Sequence, residues 1–257
     1  MKISAVIIAF NEEANIADAI ESVSFADEIV VVDSNSSDRT TEIAENLGAR
    51  VIERDWPGFS EQKQFGADSA ENDWILSLDA DERISPQLCN EIKSLRQRDP
   101  LSSGYRIPRL STYMGREIRH SGWFPDKQLR LFDRRKGHWN GRPIHESFEL
   151  QRGAKVGELA NPILHFSVSN AAYHHKMIGE RYAPLAAQHM FETGRRTSPM
   201  RVATAGPFAF IRSYILKRGF MDGFPGFCIA RFAAHHAYLK HLLLWEMQNG
   251  RAHSDNG

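Results

Sequence analysis

Three short apolar runs, each cut off by polar or acidic residues, constrain this chain more than any other feature in it. They are Ile3 to Phe10, closed by Asn11-Glu12-Glu13; Glu28-Ile29-Val30-Val31-Val32, closed by Asp33; and Trp74-Ile75-Leu76-Ser77-Leu78, closed by Asp79-Ala80-Asp81-Glu82. Near-continuous apolar runs of this length suit strands covered on both faces. After the first run, Ile16, Ala19, Ile20 and Val23 recur at helical spacing. After the second, Thr40 to Leu47 has helix character and stops at Gly48, a helix C-cap residue, and Val51-Ile52-Glu53-Arg54 reads as a third strand. Strand, helix, strand, helix, strand predicts an α/β fold: a mostly parallel sheet with right-handed crossovers, flanked by helices.

Ligands of open α/β sheets bind beyond the carboxyl ends of the strands. Polar residues at three such ends would form an array along one sheet edge. Carboxylate oxygens there suit a hard divalent cation that carries a phosphorylated ligand. Taken alone, Asp79-Ala80-Asp81-Glu82 fits an acidic first helical turn equally well; the coincidence of three strand ends favours a site.

Further along, residues 60 to 71 read as a helix with Phe65 and Ala67 toward the core and Lys63 on a polar face, and Pro86 opens a helix carrying Leu88, Ile92 and Leu95. Tyr105 to Arg109 and Gln128 to Phe132 read as strands, with Arg130, Arg134, Arg135 and Lys136 as a solvated edge or an anion site. Gly137 to Glu146 is too rich in Gly, Pro and aromatics for a regular core element, and long irregular segments tend to be functional. Pro162 to Phe166 is an apolar run bearing His165. From about residue 171 the chain reads as helical, giving a division into residues 1–170 and a helical C-terminal extension, 171–257. That extension combines Arg195, Arg196, Arg201, Arg212, Lys217 and Arg218 with Phe208, Phe210, Tyr214, Phe220, Phe224 and Phe227. Such helices can lie in a bilayer interface; a core helix pair with basic residues snorkelling outward fits the same pattern.

The 32 basic and 32 acidic residues balance, so the charge gives no reason to expect nucleic acid as a partner. Cys89 and Cys228 stand far apart, form neither a metal motif nor a disulfide framework, and read as small apolar fillers. No signal segment opens the chain and no uninterrupted apolar run reaches membrane-spanning length, which predicts a cytoplasmic protein that touches a membrane surface.

Val6-Ile7-Ile8-Ala9-Phe10-Asn11-Glu12-Glu13, Ile29-Val30-Val31-Val32-Asp33-Ser34-Asn35-Ser36-Ser37-Asp38 and Leu78-Asp79-Ala80-Asp81-Glu82 together resemble the inverting family 2 glycosyltransferases of the Rossmann-like GT-A fold. Trp123 to Phe132, Pro143-Ile144-His145-Glu146 and the region Tyr214 to Gly223 resemble, more narrowly, bacterial lipopolysaccharide core β-glucosyltransferases. The resemblance implies transfer of a hexose, glucose by analogy, from a UDP-sugar to a lipid-linked oligosaccharide acceptor, the inner-core heptose, at the inner face of the cytoplasmic membrane. It implies that Ala9, Asn11 and Glu12 border the base and ribose, that Asp33 holds the uracil or ribose, and that Asp79 meets the ribose side. Asp79 and Asp81 would form the Mg2+ or Mn2+ site, completed by His165, and Lys176 and Arg181 would reach the pyrophosphate. Inversion needs a general base near the acceptor hydroxyl. The family's Glu-Asp pair is missing downstream; His145-Glu146 occupies its place, so Glu146 is the expected base and Asp126 the runner-up. Trp123, Trp139 and His145 are expected at the acceptor, although packing under a loop explains the tryptophans equally. Two rivals stay open here. A sugar-nucleotide nucleotidyltransferase would carry a Gly-rich phosphate loop after the first strand, where Ala9-Phe10-Asn11-Glu12-Glu13 has no glycine; a non-catalytic nucleotide-sugar-binding module would need no base.

Overall fold

A computed structural model of the chain describes residues 1–98, 100–142, 146–168 and 170–254. It divides into two compact units: residues 1–110 with 125–167, and residues 111–124 with 168–257.

The first unit begins with the expected alternation: β1 (Ile3–Ala9), α1 (Ile16–Ser22), β2 (Glu28–Asp33), α2 (Thr40–Asn46), β3 (Arg50–Glu53), α3 (Phe59–Ser69) and β4 (Trp74–Asp79). β3, β2, β1 and β4 lie side by side in that order, all parallel. β1 is buried along its whole length. Its side chains alternate between two cores, as a two-period strand requires. Ile3, Ala5, Ile7 and Ala9 pack with α1 and the later helix α4 (Pro86–Arg96), while Val6 and Ile8 face Ala67 of α3. The α4 start follows from sequence: Ser85 Oγ accepts from the Leu88 N–H at 3.2 Å and Pro86 takes the first turn, where its missing N–H costs nothing.

Beyond β4 the sheet turns mixed. Between β5 (Glu82–Ile84) and α4 on one side and the hairpin β9 (Gly137–Trp139) and β10 (Phe148–Leu150) on the other come β6 (Gly104–Tyr113), the short β7 (Arg116–Glu117) and β8 (Asp126–Asp133). β11 (Val156–Glu158) and β12 (Ile163–Val168) follow. β8 inserts antiparallel beside β4, with Leu76 opposite Leu131, and β6 lies antiparallel on its other side. β12 pairs with β5, setting His165 opposite Glu82. The parallel α/β core and the later strands at 105–109 and 128–132 are therefore present as the sequence predicts.

The second unit is helical: α5 (Ala171–Lys176), α6 (Ala183–Glu192), α7 (Pro199–Ile211) and α8 (Gly223–Ser254), with π-helical turns over Met177–Tyr182 and Arg212–Leu216. β7 and the end of β6 form its ribbon. Among the described residues no helix is long and apolar enough to cross a membrane. A Cβ on Gly226 of α8 would stand 1.9 Å from the Gly219 carbonyl oxygen, so only glycine allows the backbone to fold back that closely.

Candidate active site

The turns after β1 and β2 are stitched to each other. Ala9 lies in register with Asp33. Asp33, fully buried, accepts from the Ser36 N–H at 2.7 Å and from Ser36 Oγ at 2.6 Å. The Asn11 N–H donates to Ser36 Oγ, and Asn11 Oδ1 accepts from the Ser37 N–H, each at 2.8 Å. Asn11 and Asn35 sit at φ 53° and 60°, left-handed positions that asparagine tolerates and that often mark ligand sites. The Glu12 N–H donates to Thr40 Oγ1. Burial raises the Glu12 carboxyl above its ordinary range; the Asn15 amide opposes this, and the carboxylates of Asp81, Asp38 and Asp79 add to it. Glu12, Asp79 and Asp81 therefore share one electrostatic neighbourhood.

At the end of β4 the acids part company. Asp79 pairs with Lys63 of α3 at 2.9 Å and with Arg130 of β8 at 3.1 Å. Burial alone would raise its carboxyl, but those two cations outweigh it and hold Asp79 far below the usual carboxylate range. Lys63 also reaches Glu146 at 3.2 Å. Arg130 pairs with Glu82 at 2.7 Å, Glu82 receives Arg109 at 3.4 Å, and Arg109 grips Asp126 through Nε at 2.9 Å and Nη2 at 2.6 Å. An unbroken alternation of charge thus runs Asp126, Arg109, Glu82, Arg130, Asp79, Lys63, Glu146, and it links the two base candidates. Glu82 also accepts the Asp79 N–H at 3.0 Å, which fixes the turn.

Asp81 stands apart from this chain. Its Oδ2 lies 3.4 Å from His165 Nε2. Two donors that each sit about 2.1 Å from one cation are roughly 3 to 3.5 Å apart. The Asp81–His165 pair has that spacing, and repulsion between Glu12 and Asp81 is the kind a cation relieves. Asp81 and His165 are two donors of the type a divalent metal takes, but among the described residues no group of three or more His, Cys, Asp or Glu side chains is gathered to hold one, and both oxygens of Asp79 already face cations. Arg130 Nη1 and Trp139 Nε1 are buried donors without a hydrogen-bond partner among the described residues, which suits an oxygen-rich ligand.

The remaining expected residues divide between the units. Trp139 is buried against Phe132 and Phe148, with Lys63 Nζ 5.2 Å from its ring, so it packs beneath the site. Trp123 packs with Tyr113 and His174 in the second unit. Lys176, which faces Glu180 at 3.9 Å, and Arg181, beside the Tyr182 ring, belong to that unit as well. His145 lies outside the described residues.

Lys63 is the residue that the sequence pattern misplaces. It is 2% exposed, not on a polar face. The available signal was its spacing: Lys63 lies one turn before Ala67, and Ser60, Lys63 and Ala67 share the buried stripe of α3. Arg130, 4% exposed, was half visible, sitting between Leu129 and Leu131 in a strand buried on both faces.

A family model described as Glycosyl transferase family 2 matches residues 4–182. An uncharacterized glycosyltransferase of Rickettsia bellii (strain RML369-C) is 33% identical across 96% of this chain and 87% of its own length. The lipopolysaccharide core biosynthesis glycosyltransferase LpsC of Rhizobium meliloti (strain 1021) is 28% identical across 93% of this chain and 90% of its own. Among solved structures, S. aureus TarS 1-349 in complex with UDP-GlcNAc shares the fold with a TM-score of 0.50 at 14% identity, over 97% of this chain and 92% of that one. With a GT-A-like fold, an acidic strand-end array and a family match over most of its length, the chain belongs to glycosyltransferase family 2.

Proposed function

We propose that this glycosyltransferase moves a hexose, glucose by analogy, from UDP to a saccharide hydroxyl with inversion, and that the acceptor is the inner-core heptose of lipopolysaccharide. Residues 1–170 carry donor binding and catalysis in this reading, and residues 171–257 the contact with the cytoplasmic face of the membrane. The observation that carries it is the charge chain ending at Glu146, set beside the separate Asp81–His165 pair. Similarity to LpsC supports the lipopolysaccharide core as the destination.

In a single displacement the acceptor oxygen attacks the anomeric carbon from the face opposite the leaving group, the bond from that carbon to the diphosphate oxygen breaks, and the acceptor proton leaves. Glu146 takes that proton. Lys63 holds the Glu146 carboxylate in place through a 3.2 Å hydrogen bond, as a positioned base requires. Asp126 is committed to Arg109 and takes part through the ion-pair chain. Asp81 and His165 would hold Mg2+ or Mn2+, which supplies Lewis-acid neutralisation of the diphosphate. Asp33, with its Ser36 bonds, and Asn11 shape the turn that receives the nucleoside.

The test is UDP release and product mass with a heptose-containing acceptor, with metal titrated. Asp81→Ala abolishes metal-dependent transfer; undiminished turnover removes Asp81 from the mechanism. Glu146→Gln keeps donor binding and loses about 10²- to 10⁴-fold in kcat, the usual worth of a general base. If Asp126→Asn alone stops turnover, the base assignment moves there. Pyrophosphate release from UTP would replace the transferase reading with a nucleotidyltransferase.

A further inference from the structure

The helical unit holds a cavity of about 280 Å³ between α7 and α8, lined by Ser121, Arg201, Arg212, Lys217, Lys240 and His241. Four cationic side chains converge there, and none of the four is in an ion pair among the described residues. The surrounding sequence explains why. Residues 193–245 contain eight Lys and Arg but a single acid, Asp222. Asp222 is buried and already spent: its oxygens accept the His120 N–H at 2.9 Å and the Arg119 N–H at 3.2 Å, and one lies 2.9 Å from His120 Nδ1.

Unneutralised like charges repel. Burial lowers the Lys240 ammonium below its ordinary range, and the nearby Arg201 and Arg195 lower it further. His241 is likewise lowered, first by burial and then by Lys240 and Arg201. A fold carries such repulsion at a cost that a bound anion removes. Ser121, which lines the same cavity, is 6% exposed, and its enclosed Oγ has no hydrogen-bond partner among the described residues.

Phe208 lines the same cavity, and the chain that follows it exposes Ile211, Ile215, Leu216, Phe220, Met221 and Phe224. Exposed apolar side chains in the segment that follows a cationic pocket match a ligand that is anionic at one end and apolar at the other. We propose that this cavity binds the phosphate of an anionic membrane lipid, with Arg201, Arg212, Lys217 and Lys240 on the phosphate and the 208–224 apolar side chains in the acyl region. This rests on the membrane contact proposed above and gives it a specific site.

The experiment measures binding of the full chain to phosphatidylcholine vesicles with and without phosphatidylglycerol, at near-physiological salt. Wild type binds only the anionic vesicles. Arg201→Gln/Lys240→Gln weakens that binding by about thirtyfold, whereas the charge-matched Arg218→Gln/Arg231→Gln, outside this cavity and screened by salt, weakens it by no more than about threefold. Equal weakening in the two variants would mean diffuse attraction and overturn the site. The charge-preserving Arg201→Lys/Lys240→Arg keeps binding within about threefold; its loss would make packing rather than charge responsible and would also overturn it. Calorimetric binding of glycerol phosphate without vesicle binding would assign the cavity to a free phosphate, against the lipid. A wild-type chain that binds anionic vesicles with this variant pattern but turns over no acceptor upholds the site and sinks the catalytic reading.

Discussion

Replacing Lys63 by Met tests the charge chain at its most buried cation. The side chain is 2% exposed and forms ion pairs with both Asp79 and Glu146. Methionine keeps the volume and leaves two carboxylates facing an apolar group. Breaking a buried pair costs about 3–5 kcal/mol, because the surviving charge is left without its partner. Two features pull the value to the lower end: Asp79 retains Arg130 at 3.1 Å, and Glu146 is 23% exposed, so water screens it. We expect a loss of about 3 kcal/mol, which is a fall of roughly 6–12 °C in Tm for a unit of this size. Calorimetry on the full chain reads it. Adding Asp79→Asn removes the stranded charge, so the double variant should be more stable than the sum of the singles by about 1–2 kcal/mol. With Glu146 no longer held, kcat should fall about a hundredfold while donor affinity is kept. A Tm change below about 2 °C, or an additive double-mutant cycle, would refute the reasoning that Lys63 is a stressed, buried bridge.

Other consequences are open to measurement. Glu12 has a carboxyl raised by burial and by Asp81, Asp38 and Asp79, so its folded pKa exceeds its unfolded one. Stability from that group is complete below the usual glutamate range and is lost as pH rises through the folded value. Glu12→Gln should therefore raise Tm at neutral pH, and the gain should vanish below about pH 4; a pH-independent difference would remove the carboxylate repulsion from the account. Gly226→Ala should lower Tm, even though alanine favours a helix by about 1 kcal/mol, because its Cβ has only 1.9 Å to the Gly219 carbonyl oxygen. A rise in Tm would show that this backbone approach relaxes freely.

Much of the first unit was legible because its signals are local. β1, β2 and β4 announce themselves as apolar runs because strands buried on both faces lose the polar alternation that would blur them. α4 is readable from Ser85, Pro86 and the Leu88–Ile92 spacing, and the left-handed turn after α2 from Gly48 at φ 82°. The hairpin of β9 and β10 was hidden in a segment whose Gly and Pro content reads as irregular. Its close strand approach needs the missing side chain at Gly137, where a Cβ would stand 2.3 Å from the Glu149 carbonyl oxygen, a contact visible only once the two strands pair.

The sequence by itself determined the acidic strand ends, the α/β core and the family, since each depends on neighbours within about one turn or one strand. Only the tertiary structure decided which acids are available for chemistry. Lys63 and Glu146 are 83 residues apart, and Arg130 and Asp79 are 51. Those pairings exist because β8 inserts antiparallel against β4 and α3 packs against β1, β2 and β4, an arrangement that no local pattern encodes. A carboxylate at a strand end is a metal ligand or an ion-pair partner according to what stands opposite it. Lys63 and Arg130 stand opposite Asp79, and His165 stands opposite Asp81.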